Sequence, residues 1–297
     1  MIKSTAAFLV FWFLMALGTA LGQEAKNYSV ASIIMEVEGS ACLGQEHSRQ
    51  QTEVLANTEA KRVAAERAVT HVTSETAVED GKLMADLIAS YTKSAVRVLE
   101  EVEKGWYQSN PTSGFIDSCY RVKLKVEVVP APDTTDSKTT MKAALQSPKA
   151  PLTLEVWTEK ETYRIGDEMK FFFRGNKPFY AHAVYQDAEG NLVEVTPYNE
   201  PRYYMGGVIY EIPGGTDQFT LRITEPIGEE KLVLYASTQP MANYTGSEAG
   251  GMLVIHPGQQ SMGAATRGLT ILQGTRLREE SSKAEFAEVE TMVRVEK

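Results

Sequence analysis

Histidine is a common metal ligand and general base, and this chain carries it at four positions. No two of them stand at i and i+4 on one helix, the spacing with which a helix offers a pair of zinc ligands. We therefore interpret them as packed or exposed structural side chains, and the sequence predicts no metal site and no cofactor. The four are His47, His71, His182 and His256.

Motifs for a nucleophile or for phosphate binding are also missing from the sequence. No serine lies in a Gly-x-Ser-x-Gly turn, and no glycine-rich loop after a strand carries the lysine that would contact phosphates. The segment Asp187–Asn191 places carboxylates around Gly190, but it lacks the alternating acidic positions and the distal glutamate of a calcium loop. A hairpin turn accounts for it. The sequence predicts no catalytic residues, and we expect that the protein is not an enzyme.

Tyrosine is the residue type that offers a binding surface. Exposed tyrosines recognise proteins or sugars at a small entropic cost, whereas tyrosines in β-rich segments also pack in the core. Both interpretations stay open, and the first predicts a binding surface at Tyr198, Tyr203 and Tyr204 within the segment Pro197–Met205. The whole group is Tyr180, Tyr185, Tyr198, Tyr203, Tyr204 and Tyr210.

The first residues of the chain indicate export. Lys3 precedes the apolar run Ala6–Leu17, and small residues follow up to Gly22, which is the arrangement of a secretory signal peptide at residues 1–22. Because a membrane span needs about 20 apolar residues, cleavage near Gly22 is favoured over an uncleaved anchor. No cysteine follows that could carry a lipid. The sequence predicts a periplasmic or secreted protein with no membrane span after cleavage.

The two cysteines of the chain, Cys42 and Cys119, flank strands that we expect in one sheet. An exported protein meets an oxidising environment, so the sequence predicts a disulfide between them. Two free, buried thiols are the alternative.

Charge and length limit the partners and the architecture. The chain has 39 acidic and 30 basic residues, for a net charge of −9. Since nucleic-acid affinity depends on lysine and arginine displacing counterions, we exclude nucleic acid as a partner. A length of 297 residues accommodates two domains.

The first domain is expected at residues 29–129. Alternation predicts a strand at residues 29–42 that Gly39 interrupts, and an apolar stripe with many alanines predicts a helix at residues 48–78. The run from Cys119 to Val129 alternates, with Arg121, Lys123, Lys125 and Glu127 on a face that we interpret as solvated. A short helix at 83–90 follows, and the pattern of residues 95–107 fits a helix as well as a strand; the resemblance described in the next paragraph favours the strand. With that run as a strand, these elements give an α+β, β-α-β-β domain with a long helix on a small sheet.

The segment Val37–Ala41, the helix Glu59–Val69 and the final charged strand resemble the N-terminal domain of flagellar assembly protein T and related small envelope lipoproteins. The resemblance spans about residues 29–129 and implies a place in the assembly of a surface or motility apparatus.

Residues 130–151 contain four prolines among polar residues and predict an extended linker. Residues 152–297 contain short alternating runs closed by glycine, proline or aspartate, and these predict an all-β sandwich that strands at 267–272 and 287–295 complete. An exposed tail is the alternative for those last two runs.

Four features of the second domain resemble the domain-of-unknown-function family 4384, which assigns no catalytic residues. They are Tyr163 with Ile165-Gly166-Asp167, the turn at Asp187–Gly190, Ile212-Pro213, and Pro226-Ile227-Gly228 before a strand that ends at Ala236-Ser237. The sequence departs from the expected adjacent Pro and Asn at Pro197-Tyr198-Asn199.

Three functional hypotheses follow. The leading one is a non-enzymatic accessory or assembly factor that binds other cell-envelope proteins. The second is a module that binds glycan, such as peptidoglycan, through the tyrosines. An enzyme whose site is assembled from scattered residues ranks third.

Overall fold

A computed structural model describes residues 26–44, 47–76, 81–109, 117–132, 137–196, 203–215, 217, 219–249, 252–256, 258 and 283–297. The expected signal peptide at residues 1–22, Tyr198 and the expected strand at 267–272 lie outside these residues. The described residues form a mixed α+β fold of mostly strands with three helices.

The helices are α1 (Arg49–Thr76), α2 (Gly81–Thr92) and α3 (Ser137–Gln146). The strands are β1 (Asn27–Val30), β2 (Ser32–Cys42), β3 (Ala95–Ser109), β4 (Asp117–Val129), β5 (Thr153–Thr158), β6 (Thr162–Arg164), β7 (Glu168–Met169), β8 (Phe171–Gly175), β9 (Phe179–Gln186), β10 (Leu192–Glu194), β11 (Tyr203–Tyr204), β12 (Tyr210–Ile212), β13 (Leu221–Arg222), β14 (Gly228–Ser237), β15 (Gly246–Ala249), β16 (Met252–Ile255) and β17 (Ala284–Glu296).

One large sheet of eleven strands runs through both expected domains. Below, residues 29–129 are called the first half of the chain and residues 152–297 the second half. It is curled into a half-barrel with the order β15-β16-β10-β9-β14-β17-β2-β4-β3, and β11 and β6 pair with β9 and β17 outside this path. The expectation of a small, separate N-terminal sheet is therefore wrong, because β2, β4 and β3 continue the sheet of the second half.

Strand β17 makes the sheet continuous. It pairs antiparallel with β14 over Phe286–Val295, and its first residues pair with Ser32–Ile34 of β2. Its last residues pair in parallel with β6. The inward-facing side chains of β17 alternate with exposed ones, as the sequence predicted for this run. The run is a central strand and not an exposed tail.

Helix α1 covers one face of β2 and β4. A capping box begins it, since the Ser48 amide donates to Gln51 Oε1 at 2.7 Å and the Gln51 amide donates to Ser48 Oγ at 3.2 Å. A stripe of small residues then lies fully buried against the sheet: Ala56, Ala60, Ala64, Ala68 and Val72. Val54 and Leu55, two apolar residues in the first turns of the helix, lie outside this stripe and are exposed.

A four-stranded sheet in the order β1-β5-β8-β12 shares the core of the second half with β9, β14 and β17. Alternating side chains of β5 and β8, such as Leu154, Val156 and Phe173, are buried in this core. A third sheet contains only β13 and β7.

The expected linker is partly helical and is fixed to both halves. Helix α3 occupies its middle, with Ala144 and Leu145 buried. Asn176 Nδ2 donates to the carbonyl oxygens of Ser147, Ala150 and Pro151, which holds the chain where β5 begins. The proline content of the segment predicted an extended chain. The contacts from Asn176 could not be predicted in the same way, because Asn176 lies outside the segment.

Candidate functional site

The predicted disulfide between Cys42 and Cys119 is present. Strands β2 and β4 place the two cysteines directly opposite each other in register, and the sulfur atoms are bonded. The cysteines are 77 positions apart, and in the chain-entropy model a cross-link over such a loop stabilises the fold by up to about 4 kcal/mol. The bond indicates an oxidising, extracytoplasmic location.

Tyr203 and Tyr204 lie side by side on β11 but face opposite sides of it. The Tyr204 ring packs against Phe173, Phe179 and Tyr210 at centroid distances of 4.8 to 5.6 Å. The Tyr203 ring is 48% exposed and lies 5.0 Å from the Tyr180 ring. The two interpretations of the tyrosines therefore each describe one residue: Tyr204 belongs to the aromatic core, and Tyr203 is available at the surface.

The segment from Tyr203 to Ile209, which we call the apolar turn, exposes four large apolar side chains. Tyr203, Met205, Val208 and Ile209 are each 45 to 55% exposed within seven consecutive residues. Soluble proteins commonly expose such side chains singly, so four of them within one turn are a local concentration of exposed apolar surface.

The apolar turn is held on a rigid support. The Gly207 amide donates to the Gly175 carbonyl at 2.8 Å, and the Met205 amide donates to the Tyr210 hydroxyl oxygen at 2.7 Å. Gly206 lies so close to the backbone of Lys177 that a Cβ atom there would be 2.5 Å from the Lys177 Cα. The turn is therefore presented in a fixed conformation, which lowers the entropic cost of binding.

Two of the four histidines contact carboxylates. His71 Nε2 lies 2.9 Å from Glu285 Oε1, and His182 Nδ1 lies 2.5 Å from Glu194 Oε1 in the buried core. In the part of the chain that the structure describes, no group of three or more His, Cys, Asp or Glu side chains is placed to hold a metal ion. No helix in those residues is long and apolar enough to cross a membrane.

The Asp187–Asn191 segment is a hairpin turn, as predicted. It joins β9 to β10, whose last and first residues pair. Asp187 Oδ1 accepts hydrogen bonds from the amides of Glu189 and Asn191 at 2.9 and 2.8 Å. The Asp187 carboxylate therefore stabilises the turn through hydrogen bonds within it.

A cavity of about 310 Å³, which we call the junction cavity, opens where the two halves of the chain meet. Seven elements line it: β1, β2, α2, β3, β4, α3 and β17. The side chains that give it its chemistry are Ser32, Asp86, Arg97, Glu127, Phe286 and Glu288.

Glu127 is the most buried charged residue of the junction cavity, with 1% of its surface exposed. Its Oε1 accepts a hydrogen bond of 2.6 Å from Ser32 Oγ, and its Oε2 lies 3.7 Å from Arg97 Nη1. The interpretation of this face of β4 as solvated holds for Arg121, which is exposed, and is wrong for Lys125 and Glu127, which are buried. Burial lowers the pKa of Lys125.

Sequence reasoning missed this cavity, and only the alternation of β4 gave a hint. A charged residue at every second position is typical of a surface strand, whereas here Glu127 lines the cavity together with residues of α2, α3 and β17. On the far wall, the Tyr28 ring lines the cavity, while burial and a hydrogen bond with Glu155 raise the pKa of its hydroxyl to about 12.

The comparisons with known proteins identify one part of the chain. No curated protein and no solved structure matches the chain. The expected resemblance of residues 29–129 to flagellar assembly protein T is supported by none of these comparisons and stays a prediction. Residues 162–240 match the model of a family described as "Domain of unknown function (DUF4384)". The match begins with β6 and ends just after β14, so these nine strands, with the apolar turn among them, form a DUF4384 domain.

Proposed function

We propose that the protein is an exported, non-enzymatic binding protein that contacts another cell-envelope protein through the apolar turn. The observation that carries this proposal is the simultaneous exposure of Tyr203, Met205, Val208 and Ile209 on a rigid turn. Tyrosine and methionine are enriched at protein interfaces, and preformed apolar surfaces bind with little ordering cost.

The compartment is part of the same proposal. A signal peptide at residues 1–22 sends the chain to the periplasm or the outside of the cell, where its disulfide is maintained. An accessory or assembly role for a surface or motility apparatus rests on the resemblance of the N-terminal half, which is an analogy at the level of fold.

Site-specific photo-crosslinking in the native cells tests the proposal. A photoreactive amino acid replaces Val208 in the apolar turn, and in a control it replaces Val54, which is also exposed but lies on α1. We expect the probe at Val208, and not the probe at Val54, to capture a distinct envelope protein that mass spectrometry identifies. Capture is expected to disappear when Met205→Ser and Ile209→Ser are added.

Equal capture by both probes, or capture that survives the two serine substitutions, would show that the apolar turn is not the contact. Capture of a second copy of this chain would replace the envelope partner by self-association. Absence of any specific adduct would overturn protein binding at this turn.

Glycan binding is the second candidate, and one observation favours it. The exposed Tyr203 ring, supported by the Tyr180 ring at a tilt of 58°, offers one face for stacking on a sugar. We expect retention on purified peptidoglycan to be lost in Tyr203→Ala and kept in Ile209→Ser if this candidate is right. Equal retention of both variants, or none by the unaltered protein, would remove it.

A further inference from the structure

Strand β3 lies at one end of the large sheet and has an open edge. In the part of the chain that the structure describes, β4 is the one strand that pairs with it. The opposite end of the sheet is β15, which has four residues, whereas β3 has fifteen. The backbone groups along the open edge of a strand are a template on which a further strand can pair.

Only the second part of β3 is regular enough to accept such a strand. Its pairing with β4 shifts register between Val98 and Glu100 and again between Glu101 and Glu103. Bulges of this kind protect an edge against further pairing. From Glu103 to Ser109 the two strands pair residue by residue without a shift, and we call these seven residues the regular edge. Their number exceeds the five or six residues of an ordinary strand.

The regular edge is exposed and firmly supported. Most of its side chains are exposed, including the Tyr107 ring at 40%, and only Trp106 and Ser109 are partly buried. Tyr107 pairs with Cys119, whose disulfide with Cys42 links β4 covalently to β2. A strand that is already in place when its partner arrives pays little ordering cost.

The charges of the regular edge allow it to pair with a second copy of itself. Such a contact is antiparallel around a two-fold axis, and like charges that are directly opposite each other destabilise it. An axis at Glu103 or Lys104 would set one of these charges opposite its own copy. An axis at Trp106, the centre of the regular edge, instead sets Glu103 opposite Ser109 and Lys104 opposite Gln108. All seven residues then pair, and no like charges meet.

The same register also covers the glycine of the regular edge. It sets Tyr107 of one copy opposite Gly105 of the other, where a Cβ atom would meet nothing within 4 Å. An aromatic ring across from a glycine covers the exposed backbone of that glycine. An axis at Gly105 would also avoid like charges, but it would set two residues without side chains opposite each other.

Helix α1 leaves room for this contact. It packs on β2 and β4, and both copies of the helix would lie on the same face of the joined sheet. Neighbouring strands are about 4.8 Å apart, so the two copies of β4, with two copies of β3 between them, would be about 14 Å apart. Packed helices need only about 8 to 10 Å between their axes.

We propose that two copies of the chain pair through the regular edge of β3, antiparallel and with Trp106 at the two-fold axis. The large sheet then continues from one copy into the other. Strands β4, β2, β17 and β14 separate β3 from β9, with which the apolar-turn strand β11 pairs, so the apolar turn is not part of this contact. The dimer therefore presents two apolar turns, which raises the avidity for a partner that has two matching sites.

Sedimentation equilibrium of the chain from Gln23 onward tests the proposal, and we expect a monomer–dimer equilibrium. The exposed Gln108 allows a test of the register, since it is expected opposite Lys104 of the second copy. Gln108→Glu creates an attractive pair and Gln108→Lys a repulsive one, and the two-fold axis repeats each pair twice. We expect the dimer Kd to fall about tenfold in the first variant and to rise about tenfold in the second.

The net charge of the chain predicts the opposite signs. Because the chain is acidic, general repulsion between copies would increase with Gln108→Glu and decrease with Gln108→Lys. Gln239→Lys is the matched control, because it makes the same change at an exposed residue after β14. Its dimer Kd is expected to be nearly unchanged, and circular dichroism verifies that every variant is folded.

A chain that stays monomeric up to millimolar concentration would overturn the proposal. A dimer that responds to neither change at Gln108, or that follows the signs of the net charge, would show that the regular edge is not the contact. Loss of the dimer on Met205→Ser and Ile209→Ser alone would assign self-association to the apolar turn. Binding of an envelope protein at that turn is decided separately by the crosslinks from position 208.

Discussion

Glu285 joins three parts of the chain that are far apart in sequence. Its carboxylate contacts His71 of α1 at 2.9 Å and Lys177, after β8, at 3.1 Å, and it accepts a hydrogen bond from the Leu152 amide at 2.7 Å. The side chain itself is buried. A buried carboxylate is tolerated only when such partners surround it, so these contacts are a condition for the packing of the two halves.

Glu285→Gln is expected to lower the free energy of unfolding by about 2 kcal/mol at neutral pH, because charge-assisted hydrogen bonds are replaced by neutral ones. Urea denaturation followed by circular dichroism measures the change. The exposed control Glu168→Gln is expected to change the stability by less than about 0.5 kcal/mol. If the Glu285→Gln protein were as stable as the unaltered one, the charge on Glu285 would make no net contribution to the free energy of unfolding.

The same experiment at lower pH gives the sign of the electrostatic contribution. Burial alone would raise the pKa of Glu285, but the hydrogen bond with His71, the charge of Lys177 and the Leu152 amide together lower it below the usual value of 4.5. A carboxylate with a lowered pKa stabilises the fold above its unfolded pKa, and that contribution is lost as the pH falls through the folded pKa. The stability difference between the two proteins is therefore expected to shrink below about pH 4.5; a difference that grows there would contradict it.

At the scale of elements, the contact between α1 and β2 depends on one residue without a side chain. A Cβ atom at Gly39 would lie 2.2 Å from the Ala56 carbonyl oxygen and 2.4 Å from the Ala60 nitrogen. Both obstacles are backbone atoms of α1, so the helix as a whole would have to move. The expected interruption of the strand at Gly39 is therefore wrong. Gly39 lies within the continuous strand β2 and allows the helix to approach closely.

Gly39→Ala is expected to lower the free energy of unfolding by about 3 kcal/mol, because overpacking against a backbone cannot be relieved by a rotamer change. The matched control is Gly105→Ala in β3, where a Cβ atom meets nothing within 4 Å. We expect that control to fold with nearly unchanged stability. Comparable stability of the two variants in urea would mean that α1 shifts freely on the sheet.

The spacing of apolar residues predicted a strand well where one face of the strand is buried and the other is exposed to solvent. Strand β17 follows the expected alternation, and the helix of Ala60 and Ala64 follows the expected 3.6-residue spacing. Alternation of Leu154 and Val156 also located β5, although all six residues of that strand are buried. Lys125 and Glu127 were assigned to solvent because polar residues at every second position normally face water. Glu127 lines the junction cavity with residues of α2, α3 and β17, which come from sequence positions that local pattern analysis does not connect.

The two candidate sites also differ in how far they could be predicted from the sequence. The sequence named Tyr203 and Tyr204 together as a candidate surface, and the structure exposes only Tyr203. The difference depends on which face of β11 meets Phe173, and the sequence does not contain that information. The junction cavity could not be predicted, since Ser32, Asp86, Glu127 and Glu288 come from four elements that only the tertiary fold brings together. A site assembled across elements has no local signature.

At the scale of the whole molecule, the continuous sheet predicts that the two halves unfold together. Trp106 of β3 reports on the first half and Trp157 of β5 on the second, while Trp12 precedes the expected cleavage site. In the chain from Gln23 onward, Trp106→Phe and Trp157→Phe each leave one of these two reporters. We expect the two fluorescence transitions in urea to share one midpoint, after correction for the stability of each variant by circular dichroism.

Two separate midpoints would contradict this prediction and would restore the picture of independent domains on a mobile linker. The Cys42–Cys119 bond stays intact in this experiment, since reduction would weaken the first half alone.

The position of β17 in the sheet also bears on how the chain reaches this fold. Ala284 pairs with Ile34, although their numbers differ by 250, and contacts of such long sequence separation form slowly. Until residues 284–296 have been made and delivered, β2 and β14 each have an open edge, and open edges recruit strands from other molecules. The newly exported chain therefore passes through an interval in which aggregation competes with the insertion of its own late strand, and a chaperone acts to greatest effect within that interval.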